Sequence, residues 1–380
     1  MHIVQTVART PAGVAAAIAG LQAVQPNLIL VFGAAEYFDQ TDLGTKLAAA
    51  FPEAASLGCS TAGEITARAV DDGTCSFTGL RLETTRLTRG RTEMRGMEDS
   101  FAAGERLARQ LLDPELKAVL VFGPGVQVNG SALVDGMSSL LGGGLPITGG
   151  LAGDGGAFRQ TFTLGEGGVG PRAVVAIGLC GEGLRFAHGS FGGWEAFGPP
   201  RKVTRAVGNV LYELDGEPAL AVYRRYLGAH ARDLPASGLL FPFAMLGANH
   251  DAVGLIRTIL GIDEASGSLT LAGEIDPEGY LKLMHATTDK LVGGAEAAAE
   301  AAHDMLAANG AGLAILVSCV GRKLVMGSRV DEEVEAVSAV FGHQAVLSGF
   351  YSYGEISPFT PGSSCKLHNQ TMTITYLGER

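Results

Sequence analysis

The feature that most constrains this chain is a strand–helix–strand unit that occurs three times. The first copy opens on the apolar run Leu28-Ile29-Leu30-Val31-Phe32-Gly33. A helix follows, with Leu43, Leu47 and Phe51 on one face, Asp39 or Thr41 available as its cap and Pro52 as its stop. The chain then turns through Gly58-Cys59-Ser60-Thr61-Ala62-Gly63-Glu64-Ile65. The second copy opens on Ala118-Val119-Leu120-Val121-Phe122-Gly123. Ser131 can cap its helix, which carries Leu133, Met137 and Leu141, and Gly149-Gly150-Leu151-Ala152-Gly153-Asp154 closes it. The third copy opens on Leu313-Ala314-Ile315-Leu316-Val317 and has Asp331, Glu332 and Glu333 in the first turn of its helix. Its apolar face is Val334, Val337 and Phe341, Gly342 is its stop, and it closes on Gly349-Phe350-Tyr351-Ser352-Tyr353-Gly354-Glu355-Ile356. Apolar runs without alternation belong to strands buried on both faces, and a helix between two of them is a parallel crossover. The expected fold is therefore α/β, with mixed sheets built from repeated strand-helix-strand units.

Between the second and third copies the pattern changes. Short apolar runs at 239–246, 253–259, 269–271 and 280–284 alternate with turn-rich stretches such as Asp276-Pro277-Glu278-Gly279. They predict an antiparallel meander in the C-terminal half. Gly273-Glu274-Ile275 repeats part of the turn motif with no crossover before it and reads as a hairpin coincidence. An alanine-rich helix is expected from Thr288 or Asp289 to about Ala308, capped by Asn309-Gly310, and residues 211–227 read as another helix. A chain of 380 residues exceeds one ordinary core, and a boundary near 220 divides it into 1–220 and 221–380.

Charge and composition exclude several partners. The net charge is −11 and no basic stripe is present, which argues against nucleic acid and against an anionic membrane surface. The longest apolar runs are strand-length, far short of a membrane span. Met1-His2-Ile3-Val4 does not begin an export signal, and the five cysteines are scattered without metal spacing. Reduced thiols and a cytoplasmic location are expected.

The turn Leu57-Gly58-Cys59-Ser60-Thr61-Ala62-Gly63-Glu64-Ile65 resembles the signature of the FIST domain, a family of bacterial sensory input modules. The segment from Gly349 to Pro358, with Leu367-His368-Asn369-Gln370-Thr371-Met372-Thr373, resembles the end of the associated C-terminal FIST module. The resemblance runs from about residue 27 onward. It implies a small-ligand input protein for two-component or cyclic-di-nucleotide signalling, and one branch of the family resembles haem-based nitric oxide sensors. The chain shows no kinase or GGDEF-like segment, so its output is expected to pass to a separate histidine kinase or cyclic-di-nucleotide enzyme. A homodimer is left open.

Ligands of parallel sheets lie beyond the carboxyl ends of strands. This makes Cys59, Ser60, Thr61, Gly63 and Glu64 candidate ligand-binding residues, together with Tyr351, Ser352, Tyr353, Gly354, Glu355, Asn369 and Gln370. The two Gly-Glu turns are expected to share one cleft. The second copy, ending on Gly153-Asp154 without hydroxyls, reads as structural. For haem b the axial candidates are His285 and His368, each placed by period-two alternation on the apolar face of a strand, with His368, Gln370, Met372, Ile374 and Tyr376 on one continuous strand. Two other readings stay open. The hydroxyls and carboxylates of the turns suit an amino acid or a similar metabolite. Cys59 or Ser60 could act as a nucleophile with His368 as base, although the turn lacks the G-x-S-x-G elbow.

Overall fold

Each apolar run forms a central strand, and each crossover has the expected parallel partner. The computed structural model describes residues 1–67, 69–306 and 310–380. Leu28–Gly33 pairs in parallel with Ala55–Ser60, Leu116–Gly123 with Ile147–Leu151, and Gly312–Cys319 with Ala345–Ser352. Each pair belongs to its own six-stranded sheet. The pair is extended on one side by two antiparallel strands of the same unit. These are His2–Ala8 and Cys75–Arg81 in the first unit, Arg86–Glu93 and Ala173–Cys180 in the second, and Leu184–Phe191 and Met372–Glu379 in the third. On its other side each sheet receives a hairpin from a different unit. The hairpin after Ala55–Ser60 joins the third sheet, the one after Ile147–Leu151 joins the first, and the one after Ala345–Ser352 joins the second. The exchange is cyclic, so the three units form a closed pseudo-threefold ring.

The alternation within the apolar runs explains the packing. Leu28, Leu30 and Phe32 pack in one central core with Leu120 and Phe122 of the second sheet and Leu313, Ile315 and Val317 of the third. Phe32, Phe122 and Phe350 meet there with ring centroids 4.8–5.5 Å apart. The other face of each sheet is covered by its own helices. Leu43 and Leu47 cover Ile29 and Val31, Leu107 and Leu133 cover Val119 and Val121, and Val334 and Val337 cover Leu316 and Ile374. Strands buried on both faces need apolar residues at every position, which is why these runs do not alternate.

The antiparallel region is a nine-stranded sheet with its own core, inserted between Leu184–Phe191 and the helix Thr288–Asp304. It begins with Glu195–Ala196, Arg201–Val207 and Val210–Leu214, so residue 220 falls inside it. The helix expected over 211–227 is therefore divided. Val210–Leu214 is a strand, a turn carries Asp215 at φ 52° and Gly216 at φ 80°, and only Ala219–Leu227 is helical. The expected end of the next helix near Ala308 and its cap at Asn309 lie outside the described residues. The cap of the helix Gly130–Leu141 is Asn129, whose side chain accepts from the Ala132 amide, rather than Ser131. Among the described residues no helix is long and apolar enough to cross a membrane.

Candidate functional site

The three closing turns meet at the carboxyl ends of the parallel strands. They hydrogen-bond to one another in a ring: Ala62 N to Tyr351 O and Tyr351 N to Gly63 O, Gly153 N to Ser60 O, and Tyr353 N to Leu151 O, at 2.8–3.1 Å. The sequence motif thus marks the junctions where the hairpins cross between units. Gly63 adopts φ +139°, and a Cβ there would lie 2.5 Å from Lys323 Nζ and 3.1 Å from the Tyr351 ring. L side chains rarely adopt that φ, so the backbone here calls for glycine.

The first and third turns solve the same problem in the same way. Glu64 accepts the Thr61 hydroxyl on one oxygen, and on the other the Thr74 amide and hydroxyl, both at 2.9 Å. Glu355 accepts Ser352 Oγ at 2.6 Å, Thr371 N at 3.1 Å and Thr371 Oγ1 at 2.9 Å. Both carboxyls are buried, and burial pushes each up to about 7 against the opposing pull of those donors. The two turns belong to one ring, and neither Glu64 nor Glu355 lines a cavity described for this protein. Cys59, Ser60, Thr61, Ser352, Asn369 and Gln370 are likewise buried, and Gly63 and Gly354 serve the crossing backbone. Tyr353 alone of these residues lines a cavity described below.

Neither candidate nucleophile is accessible. Cys59 is fully buried and burial pushes its thiol well up, while Ser60 Oγ donates to Gly153 O at 2.7 Å and accepts from Phe162 N at 2.9 Å. The continuous strand expected from His368 to Tyr376 is broken. Cys365–His368 belongs to the second sheet and Met372–Glu379 to the third, with Gln370 at φ 64° between them. Gln370 Nε2 reaches Leu239 O and Thr258 Oγ1, both at 3.0 Å, so this side chain docks the inserted sheet. Among the described residues Asn369 Oδ1 and Gln370 Oε1 find no hydrogen-bond partner.

The histidines do not fit a haem axial position. His368 Nε2 lies 2.8 Å from Ser357 O, and Phe359 stands edge-on to the ring at 4.4 Å. Burial, aided by the charge of Arg257, pushes its pKa down to about 4. His285 is half-buried at the end of an interior strand of the inserted sheet, opposite Glu195 and 5.4 Å from the Phe197 ring. Neither histidine lines a cavity described for this protein.

Sequence patterns missed a buried polar cluster beneath the third turn. Arg322 and Glu333 form a fully buried ion pair at 2.6 Å, and Glu333 also accepts the Tyr351 hydroxyl and Ser318 Oγ, the latter at 3.0 Å. Arg322 further donates to the carbonyls of Gly192 and Leu291, tying the segments on either side of the inserted sheet to the third unit.

The second turn differs from the other two. In the strand register Thr163 stands opposite Cys59, as Glu64 stands opposite Phe350 and Glu355 opposite Gly150. Thr163 Oγ1 donates to Ala173 O at 2.7 Å, so no carboxylate clamp exists here. Twelve residues separate Gly150 from Thr163, against four between Cys59 and Glu64 and four between Phe350 and Glu355. The extra length forms a loop organised by Asp154, which accepts the amides of Phe158, Arg159 and Gln160 at 2.7–3.0 Å and the Tyr353 hydroxyl. Phe158 stacks on Tyr353 with centroids 4.0 Å apart. The turn expected to be structural is the one that borders open space. A groove of about 240 Å³ runs between it and the inserted sheet, lined by Gln127, Asn129, Phe158, Tyr353, Leu260 and Thr270 among others. Behind the segment that carries Gln127 lies a second cavity of about 320 Å³, bordered by Arg95, Arg159 and Arg172.

The FIST N domain matches residues 27–217 and the FIST C domain matches 219–358. The chain belongs to the FIST family. FIST domains are associated with the sensing of small ligands in signal transduction. An uncharacterized protein of Methanocaldococcus jannaschii is 41% identical over 83 residues, which cover 22% of this FIST chain and 15% of that protein. A cyanuric acid hydrolase from A. caulinodans aligns over 100% of this chain and 99% of its own, with a TM-score of 0.41 and 11% identity.

Proposed function

We propose that this FIST protein is a small-ligand sensory input protein that takes its ligand in the groove beside the second turn. The observation that carries this reading is the difference among three equivalent turns. The first and third are closed by buried carboxylate clamps, while the second replaces the clamp with a longer loop bordering a groove. The stacked Phe158–Tyr353 pair offers an apolar wall, and Asn129, which donates to Glu274 at 3.0 Å, offers a polar end. A ligand touching Tyr353 touches the residue whose hydroxyl joins the loop through Asp154, so occupancy would change the order of residues 154–160. That surface change is the signal in this reading, received by a separate histidine kinase or cyclic-di-nucleotide enzyme.

The test is a thermal-shift screen of amino acids and related small metabolites, repeated with Leu260→Trp. Leu260 is 44% exposed at the groove wall, so tryptophan fills the groove without entering the core. A ligand at a hundred times its Kd stabilises by about 2.7 kcal/mol, and Leu260→Trp should abolish that shift while the free protein melts as before. A ligand whose shift survives Leu260→Trp binds elsewhere and defeats the proposal.

A further inference from the structure

The cavity behind the loop has a chemistry of its own. Arg95 follows the strand Arg86–Glu93, Arg159 sits in the long loop, and Arg172 precedes the strand Ala173–Cys180. Among the described residues none of these three guanidiniums makes a hydrogen bond or an ion pair. Neighbouring arginines are committed: Arg91 to Glu93 at 2.8 Å and Arg106 to both oxygens of Asp99 at 2.7 and 2.8 Å. Asp99 is the acid whose charge Arg95 senses, and its carboxylate is already filled by Arg106 and by the Arg95 amide at 3.0 Å. Three guanidiniums without a hydrogen-bonded acid thus border one concavity, in a chain of net charge −11.

The same cavity carries Gln127 and Gln160, and Met94, Pro124 and Pro171 supply apolar wall. Thr161, which also lines it, accepts from the Gly125 amide at 2.9 Å. Planar guanidiniums bind carboxylate and phosphate oxygens in pairs, with a geometric fit that lysine lacks. We infer that this cavity binds a small metabolite carrying two or more carboxylate or phosphate groups, held by Arg95, Arg159 and Arg172. The inference rests on the reading that ligands bind beside the second turn, and it names the class of ligand. Arg159 and Gln160 have their amides anchored on Asp154, so an anion in the cavity acts on the same loop that borders the groove.

Isothermal titration of the full chain with citrate, and separately with inorganic pyrophosphate, at constant ionic strength distinguishes the carboxylate from the phosphate source. Glycine at matched salt is the control. One anion should bind with a Kd below about 1 mM. Arg159→Gln should weaken it at least about tenfold, and the triple change Arg95→Gln, Arg159→Gln, Arg172→Gln should remove it while the melting temperature holds, since these side chains are exposed and unpaired. Higher salt should weaken binding, as for any exposed charge contact. Failure of both anions to bind, or equal binding by the triple variant, overturns the inference. Metabolite shifts lost in Leu260→Trp, with neither anion bound, leave the groove reading standing and this inference fallen. Anion binding lost in the triple variant, in a protein where Leu260→Trp changes nothing, leaves the reverse.

Discussion

The first and third turns and the second turn occupy equivalent places in a threefold ring, yet they are built for different ends. At Glu64 and Glu355 a carboxylate satisfies amide and hydroxyl donors inside the protein, and the crossing hairpin is sealed. At the second turn a threonine takes that place, and the added residues go to a loop whose acid, Asp154, serves the loop itself. A carboxylate can fill one role at a time. Where it clamps the fold, its lone pairs are spent on protein donors, and a ligand would have to displace them at a cost of about 1–3 kcal/mol for each buried group left unpaired.

The largest effect that sharpens this contrast should come from beneath the third turn. Glu333→Ala strands Arg322 in the core together with the Tyr351 hydroxyl and Ser318, and should cost about 3–5 kcal/mol in urea unfolding. A loss within measurement error would show that the network is not holding the turn.

Clamp and loop carboxylates should then separate clearly. Glu355→Ala leaves Ser352 and two Thr371 donors without an acceptor and should cost about 1–3 kcal/mol, with Glu64→Ala comparable. Asp154→Ala, whose amide partners lie in an exposed loop, should cost under about 1 kcal/mol. Equal losses at Glu355 and Asp154 would erase the distinction drawn between the turns.

The clamps also predict a pH dependence. Both carboxyls titrate at about 7 in the folded protein, above the roughly 4.3 of an unfolded glutamate. The folded state therefore holds more protons between those values, and the stability the clamps contribute is present below about 4.3 and lost as pH rises through 7. His368, pushed down to about 4, acts in the opposite sense below about 6.5, so the clean readout is the difference between wild type and variant. Glu64→Gln with Glu355→Gln should flatten the fall in melting temperature from pH 5 to 8. An unchanged slope would mean that these carboxyls are not the groups titrating.

The most local effect belongs to Tyr353→Phe. It keeps the stack on Phe158 but removes the hydroxyl that joins Asp154 and accepts from the Gly156 amide at 2.9 Å. Global stability should fall by only about 0.5–1.5 kcal/mol. Hydrogen exchange at residues 154–160 should rise more than exchange anywhere in the three sheets, and uniform exchange would detach Tyr353 from the loop.

Much of the fold was legible in the residues. Uninterrupted apolar runs at 28–33, 118–123 and 313–317 can only be strands covered on both faces, and glycine after a helix of matching length marks the return. The edge strands His2–Ala8, Arg86–Glu93 and Leu184–Phe191 escaped the repeat because polar residues such as Gln5, Thr6, Arg86, Arg89, Arg185 and His188 interrupt their apolar ones and dilute any pattern. Asn129 as a cap had a local signal, since an Asn one residue before a helix is a strong candidate. Arg95, Arg159 and Arg172 had none, because nothing in their spacing says that they meet.

The sequence by itself determined the repeated α/β units, the antiparallel insertion and the family, because periodicity and turn chemistry are local properties of the chain. Only the tertiary structure decided that each hairpin crosses to another unit's sheet, and this puts the Gly-Glu turns at buried junctions. The Gly-Glu motifs are conspicuous in the sequence because a buried junction permits few residues. The second turn looked plain because an open surface constrains its residues less. Burial separates those two cases, and burial is set by what the distant parts of the chain place on top.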